Sequence, residues 1–201
     1  EISFRKDVAS RAYDDYLEEI NKHHCADVMW REVERFLDSV EYNGIILDVG
    51  GCWGWHWLHL PIIRPDVKVV VVDLVRENFK HTKRVLGNQI GNTVFLVHAD
   101  ACQVKFPRNF FSAIWSVQVS QHIRDLDALY SNIAPSLIKG GLFLDVYLLE
   151  SKLQQSLYNL LGKNYVIDGC NDNGIYIGRG VRNRMQYAAN NHLSLLESKR
   201  S

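Results

Sequence analysis

The chain has 201 residues, 47% of them hydrophobic and 23% charged, a balance that supports one substantial core and excludes a disordered chain. Its 23 Lys and Arg offset 23 Asp and Glu, so it lacks the basic excess on which general nucleic-acid binding rests. There is no run of eighteen apolar residues, no signal peptide and no paired metal spacing among the four cysteines. These absences predict a cytoplasmic protein with reduced thiols, no membrane partner and no metal. The chain begins at Glu1 rather than Met, which points to a trimmed N-terminus.

From about Tyr13 to Val40 the sequence is polar and helical, with Val33, Phe36, Leu37 and Val40 spaced to dock one face on a sheet. His23-His24-Cys25 lies within this stretch, but adjacent helical residues point in different directions and cannot readily converge on one ion. The apolar run Ile45-Ile46-Leu47 then ends at Asp48 and turns through Val49-Gly50-Gly51-Cys52-Trp53-Gly54. A buried parallel strand that ends in a carboxylate and a glycine-rich turn opens a nucleotide-binding α/β domain, because such folds bind ligands at the carboxyl edge of the sheet. A dinucleotide fingerprint needs Gly-x-Gly-x-x-Gly. Read from Gly50, that pattern fails at Cys52.

Read from the acid, Asp48-x-Gly50-x-Cys52-x-Gly54 resembles the first motif of class I S-adenosylmethionine-dependent methyltransferases, acid-x-Gly-x-Gly-x-Gly, with Cys52 in place of the middle glycine. The resemblance implies a Rossmann-like, doubly wound α/β fold: a mostly parallel sheet flanked by helices, with an N-terminal helical extension. It also implies S-adenosylmethionine as cofactor, with Asp48, Gly50, Gly51, Cys52 and Gly54 in the cofactor loop. One domain over residues 1–201 is expected, divided into an N-terminal cap (1–42), a cofactor-binding core (43–147) and a substrate-side segment (148–201). In related enzymes a tyrosine-containing N-terminal element closes over the site, and Tyr13-Asp14-Asp15-Tyr16 occupies that place here. His56 and His59, at i and i+3 of the expected next helix, join Trp53, Trp55 and Trp57 in an aromatic wall beside the cofactor.

The second strand, Val67 to Asp73, again ends in an acid, and a carboxylate there can accept both ribose hydroxyls of an adenosine. Leu74 follows it, placed to pack on an adenine face. Thr93 to His98 reads as the third strand, and the resemblance carries Asp100 and Ala101 after it as adenine contacts. Phe110 to Val117 is the fourth strand, with Ser116 and Gln118 completing the implied cofactor set. The loop Gln118 to Ile123 brings His122 to the acceptor rim. His122 is the candidate general base or acceptor-binding residue, the alternative being a role in capping the helix that starts near Asp125 or in packing beneath the loop. Leu137-Ile138-Lys139-Gly140-Gly141 matches the family's turn into the fifth strand, with the glycine pair expected just behind a helix C-terminus.

Beyond Val146 the pattern is harder to read. Lys152 to Gly162 looks helical, with Leu153, Leu157, Leu160 and Leu161 as its apolar face. Tyr165 to Asp168 and Ile175 to Ile177 are strand-like runs around Asp172-Asn173-Gly174, a hairpin signal. They are either the last two strands of the sheet or an insertion over the site spanning Leu148 to Asn183, with the final strands beyond this chain. The second reading is favoured, and a sheet of five strands rather than seven would support it.

Ser116-Val117-Gln118-Val119 lacks the Pro-Pro-aromatic signature of amino-methylating DNA enzymes. No glutamate pair for guanidinium chemistry and no cluster of metal-binding acids is present. The remaining expectation is methyl transfer to a small-molecule acceptor. Tyr158, Tyr176, Arg179 and Arg182 are suited to a planar or acidic one, or else form a core aromatic pair and a solvated charged face. Two other classes stay open: a non-catalytic binding or scaffold protein of the same fold, and a nicotinamide-dependent oxidoreductase. Oligomeric state is not encoded in any pattern seen here.

Overall fold

The computed structural model describes residues 25–147 and 181–193, the strand residues 165–167 and 176–178, and a few isolated positions. Tyr13, Tyr16, His23, His24, Tyr158 and Arg179 lie outside the described residues.

Helix α1 (Cys25–Asp38) leads into β1 (Ile45–Val49). Val33, Phe36 and Leu37, at i, i+3 and i+4, are buried with Val40 against the sheet, as the periodicity predicts. The helix ends where Arg64 reaches it. Its guanidinium donates to the carbonyls of Leu37 (2.5 Å), Val40 (3.0 Å) and Glu41 (3.0 Å), and Asp66 holds the other side of the fork at 2.8 Å. The Leu37 carbonyl is among the groups a helix C-terminus leaves without intrahelical partners, and Val40 and Glu41 lie just beyond the helix end.

A 3-10 turn (Trp55–Trp57) and the one-turn α2 (Leu60–Ile63) connect β1 to β2 (Lys68–Asp73). His56 and His59 therefore do not share one helix: His56 lies in the 3-10 turn and His59 caps α2. The reason is Pro61, whose ring and missing N–H confine it to the first turn of a helix. Helix α3 (Asn78–Leu86) and β3 (Val94–His98) follow, then β4 (Phe111–Val117), a 3-10 turn (Ser120–His122), α4 (Leu126–Ile133) and β5 (Leu137–Val146).

The sheet has five strands in the order β3-β2-β1-β4-β5, and all four pairings are parallel. Its central strands are apolar on both faces, as parallel strands covered on both sides must be. Ile46, Val69, Val71, Ala113 and Trp115 pack toward α1, while Leu47, Val49, Val72 and Ile114 pack toward α4. The strand order reverses between β1 and β4, the position where open α/β sheets leave a crevice for ligands.

One expectation about the later chain needs revision. The pair Gly140-Gly141 is not behind a helix, since α4 closes through a 3-10 turn (Ala134–Ser136) and the glycines lie inside β5. They sit at a break in register, where Phe111 pairs with Leu137 but Ala113 pairs with Leu142. Gly140 has φ 81°, and a Cβ on Gly141 would fall 2.8 Å from the Ser112 carbonyl oxygen, so the pair makes a bulge. In the 152–162 segment the described Leu153, Leu157 and Leu160 are helical, as the pattern predicts, and exposed.

β6 (Tyr165–Ile167) and β7 (Tyr176–Gly178) form an antiparallel pair separate from the main sheet. β7 lies beside the Ser120–His122 turn. Neither strand joins the main sheet, whose described strands number five, so these runs are not its last two strands. Helix α5 (Val181–Asn190) then returns to pack beside α4.

Candidate functional site

The turn after β1 is held in a conformation that favours glycine. Gly50 and Gly54 have φ 67° and 71°. A Cβ on Gly50 would come within 2.4 Å of Val119 Cγ2, so this glycine lets the β1 turn close onto the turn after β4. A Cβ on Gly51 would fall 2.2 Å from Asp48 Oδ2. Cys52, where the motif has its middle glycine, also adopts left-handed backbone at φ 50°. The glycine is gone but its conformation is kept, at a cost of about 1–2 kcal/mol for a residue bearing a Cβ.

Asp73, at the end of β2, braces that turn. Its Oδ2 accepts from the Cys52 amide (3.0 Å) and from Asn78 Nδ2 (3.2 Å), and its Oδ1 accepts from the Val75 amide (2.7 Å). Asn78 Oδ1 in turn accepts from Trp53 Nε1 at 3.2 Å, and Thr82 Oγ1 donates to the Cys52 carbonyl at 2.9 Å. Leu74 is 46% exposed beside Asp73, open to an apolar face. Asp100 closes the end of β3, its carboxylate accepting from the Cys102 amide (2.8 Å) and Gln103 Nε2 (2.9 Å). Ala101 is half-buried, and its carbonyl accepts from Asn132 Nδ2 at 2.7 Å.

Beneath the turn, Asp48 is fully enclosed and accepts from Trp57 Nε1 at 2.7 Å. Burial pushes its carboxyl up to about 7. The Trp57 hydrogen bond opposes the shift, and the neighbouring Asp73 charge adds to it. The expected aromatic wall is present in altered form. Trp53 is buried and stacked on His81 (ring centroids 4.2 Å apart), and Trp55, His56 and Trp115 form a contiguous ring cluster. Burial pulls His56 down to about 3, which keeps its imidazole neutral.

On the β4 side, Gln118 is exposed with φ 57°, and its amide donates to the Val146 carbonyl at 2.6 Å. Ser116 is fully buried and pairs in register with Asp145, so its side chain faces α4 rather than the crevice. His122 is half-buried in the 3-10 turn, with Nε2 3.3 Å from Gln121 Nε2. The cap of α4 is Asp125, whose carboxylate accepts from the Ala128 amide at 2.8 Å, so His122 does not serve as that cap.

A polar cluster at the same edge escaped the sequence reading. Asp145, one residue from the end of β5, accepts from Tyr130 Oη at 2.8 Å and lies 3.5 Å from Arg184 Nη1. Arg184, from α5, also donates to Ser120 Oγ at 2.8 Å and stacks 3.4 Å over the Tyr147 ring. Burial raises the Asp145 carboxyl, with Arg184 and Tyr130 opposing the shift. The signal was available: Leu142-Phe143-Leu144-Asp145 is a third apolar run ending in an acid, like those at Asp48 and Asp73. Among the described residues no group of three or more His, Cys, Asp or Glu is arranged to hold a metal ion, and no helix is long and apolar enough to cross a membrane.

A methyltransferase domain family matches residues 47–145, the stretch from β1 through β5. No curated protein matches the chain in sequence. Among solved structures, geranyl diphosphate C-methyltransferase from Streptomyces coelicolor, in complex with Mg2+, geranyl diphosphate and S-adenosyl-L-homocysteine, is 15% identical with a TM-score of 0.64. The match covers 84% of this chain and 61% of that one. The YcgJ protein of Bacillus subtilis is 18% identical with a TM-score of 0.62, covering 86% and 69%. Phosphoethanolamine N-methyltransferase 2 of Haemonchus contortus, solved with phosphomonomethylethanolamine and S-adenosylhomocysteine, is 19% identical with a TM-score of 0.58. That match covers 81% of this chain and 36% of the other, so the chain spans from about a third to about two thirds of these proteins' own lengths.

Proposed function

The chain belongs to the class I S-adenosylmethionine-dependent methyltransferase family, and from that premise we propose that it transfers a methyl group to a small-molecule acceptor held at the carboxyl edge of β4 and β5. The observation that carries the proposal is the contact at the switch point. The Gly50 turn packs on Val119 while Asp73 reaches from β2 into the same turn, so the ends of β1, β2 and β4 converge at the switch point. Two of the structural neighbours hold a small acceptor together with S-adenosylhomocysteine on this fold.

The donor set fits the cofactor. Gly50 and Cys52 are the half-exposed members of the β1 turn and would face the cofactor, while Gly51 and Gly54 are buried and let the turn pack on Asp48 and Thr82. Asp73 supplies a carboxylate for ribose hydroxyls, which would compete there with the Cys52 amide and Asn78. Leu74 offers an exposed apolar face for adenine, and Asp100 and Ala101 close the adenine end. Gln118 borders the crevice from β4, and Ser116 lies beneath it. When bound, S-adenosylmethionine supplies a methyl group made electrophilic by its sulfonium, and transfer by in-line displacement depends chiefly on alignment. Residues 43–147 hold that alignment. His122, on the turn beside β7, takes or orients the acceptor's proton.

Calorimetric titration with S-adenosylmethionine, S-adenosylhomocysteine and NAD in parallel tests the cofactor. Binding of both adenosyl ligands, lost in Asp73→Ala, is the expected result. Binding of NAD alone would point to the oxidoreductase class, and binding of nothing to a non-catalytic scaffold. With an acceptor in hand from a screen, His122→Ala should lower turnover far more than cofactor affinity, and unchanged turnover would remove it from the mechanism.

A further inference from the structure

We propose that Arg184 and Asp145 form a buried clamp that fixes the 118–123 turn from the acceptor side, which makes both of them positioning residues for methyl transfer. The functional part rests on the reading of that turn as the acceptor rim. Arg184 and Asp145 side chains are only 5% and 11% exposed, yet each belongs to a different element, α5 and β5. The clamp reaches two more. Arg184 Nη1 donates to Ser120 Oγ in the 3-10 turn at 2.8 Å, and Tyr130 of α4 donates to Asp145 Oδ2 at 2.8 Å. The Tyr147 ring, 3.4 Å below the guanidinium, fixes its plane.

The hold lands on a turn that Gln118 enters in left-handed backbone at φ 57° and that backbone bonds tie from Gln118 to the Val146 carbonyl, from His122 to Val119 and from Ile123 to Ser120. Arg184 seizes Ser120, two residues before His122, with a charged donor.

Energetics argue that the pair is there for geometry. A buried ion pair repays its own desolvation poorly, and well-packed apolar replacements are often as stable or more so, whereas loss of one partner is strongly destabilising. Four polar groups and a ring brought together at the edge of the site thus secure a specific arrangement that apolar side chains of the same volume would not. Helix α5 also docks through Asn191, whose Nδ2 donates to Asp127 Oδ1 at 3.0 Å, so Arg184 is not its sole attachment.

The test replaces the buried set as a unit: Arg184→Met, Asp145→Leu and Tyr130→Phe in one protein, beside Arg184→Lys alone. Amide hydrogen exchange is read for residues 119–123 relative to residues 46–48 and 69–72 in the same ligand-free sample, with the His122 ring resonances alongside. The clamp predicts that in both variants exchange at 119–123 rises about tenfold or more over that of the central strands and the His122 signals move. S-adenosylhomocysteine affinity should stay within about threefold. Equal protection of the turn and the strands relative to wild type, with His122 unmoved, would overturn the proposal whether or not the variants lose overall stability. Because exchange is read in the free protein, a wild-type chain that binds no S-adenosylhomocysteine would sink the functional reading while leaving the clamp itself to be judged.

Discussion

The Cys52 amide donates to the Asp73 carboxylate across 3.0 Å from a backbone that stands at φ 50°, a conformation L-residues with a Cβ avoid. The strand end of β2 thus holds the β1 turn in the shape its missing glycine would have taken unaided. Cys52→Gly should relieve that strain, offset in part by the extra freedom glycine has when unfolded, for a net gain of about 0.5–1 kcal/mol. Cys52→Val, with a branched Cβ, should lose stability. Urea denaturation of the three proteins gives the order Gly, Cys, Val if the strain is real, and a Gly variant below wild type would refute it.

Asp73 binds three donors from two elements, so its loss should be felt before any ligand is added. Asp73→Ala strips acceptors from the Cys52 and Val75 amides and from Asn78, and should cost about 2–4 kcal/mol through groups left without partners. Asn78 also holds Trp53 Nε1, so the fluorescence of this buried indole should shift in the same variant. A stable Asp73→Ala protein with an unmoved Trp53 signal would confine Asp73 to ligand binding.

The parts of this molecule that are local in sequence were legible, and those that depend on distant pairing were not. Asp48 and Asp73 stand out because each ends an unbroken apolar run, and the five parallel strands follow from those runs. The backbone of Cys52 is not legible, because nothing in a cysteine announces a positive φ; only the constraint on the turn imposes it. Gly140-Gly141 was misplaced because a glycine pair signals a helix stop and a bulge equally well, and the choice is made by the register of β4 against β5. Pro61 did carry the information that shortens α2, but a histidine pair at helical spacing outweighed it. Arg184 and Asp145 lie 39 positions apart, and Arg64 caps a helix that ends 26 residues before it, so no periodicity relates either pair.

Arg64 offers a test of stability remote from the crevice. Its fork serves the Leu37 carbonyl in the last turn of α1 and the Val40 and Glu41 carbonyls just after it, while Asp66 anchors it. Arg64→Met should therefore cost about 1–3 kcal/mol, mostly through the Val40 carbonyl and the Asp66 carboxylate left short of partners. The loss should appear as a lower urea midpoint, with S-adenosylhomocysteine affinity unchanged once the protein is folded. A variant as stable as wild type would show that water caps the helix equally well.

Asp48 should make stability depend on pH in the direction opposite to that of a salt-bridged carboxylate. Its folded value of about 7 stands above the usual 3.8, so between those two values the folded chain holds a proton that the unfolded chain has released. Stability therefore declines as pH rises from about 4 to 7 and levels off above, where the ionised group sits buried beside Asp73. The full shift corresponds to an upper bound of about 4 kcal/mol. Asp48→Asn keeps an acceptor for Trp57 Nε1 and stays neutral at every pH, so the difference in unfolding free energy between the variant and wild type should grow from pH 5 to pH 8. Other carboxylates titrate in both proteins and cancel in that difference. A constant difference across the range would mean that Asp48 is ionised in the fold throughout, with Trp57 and the surrounding backbone dipoles stabilising its charge against burial.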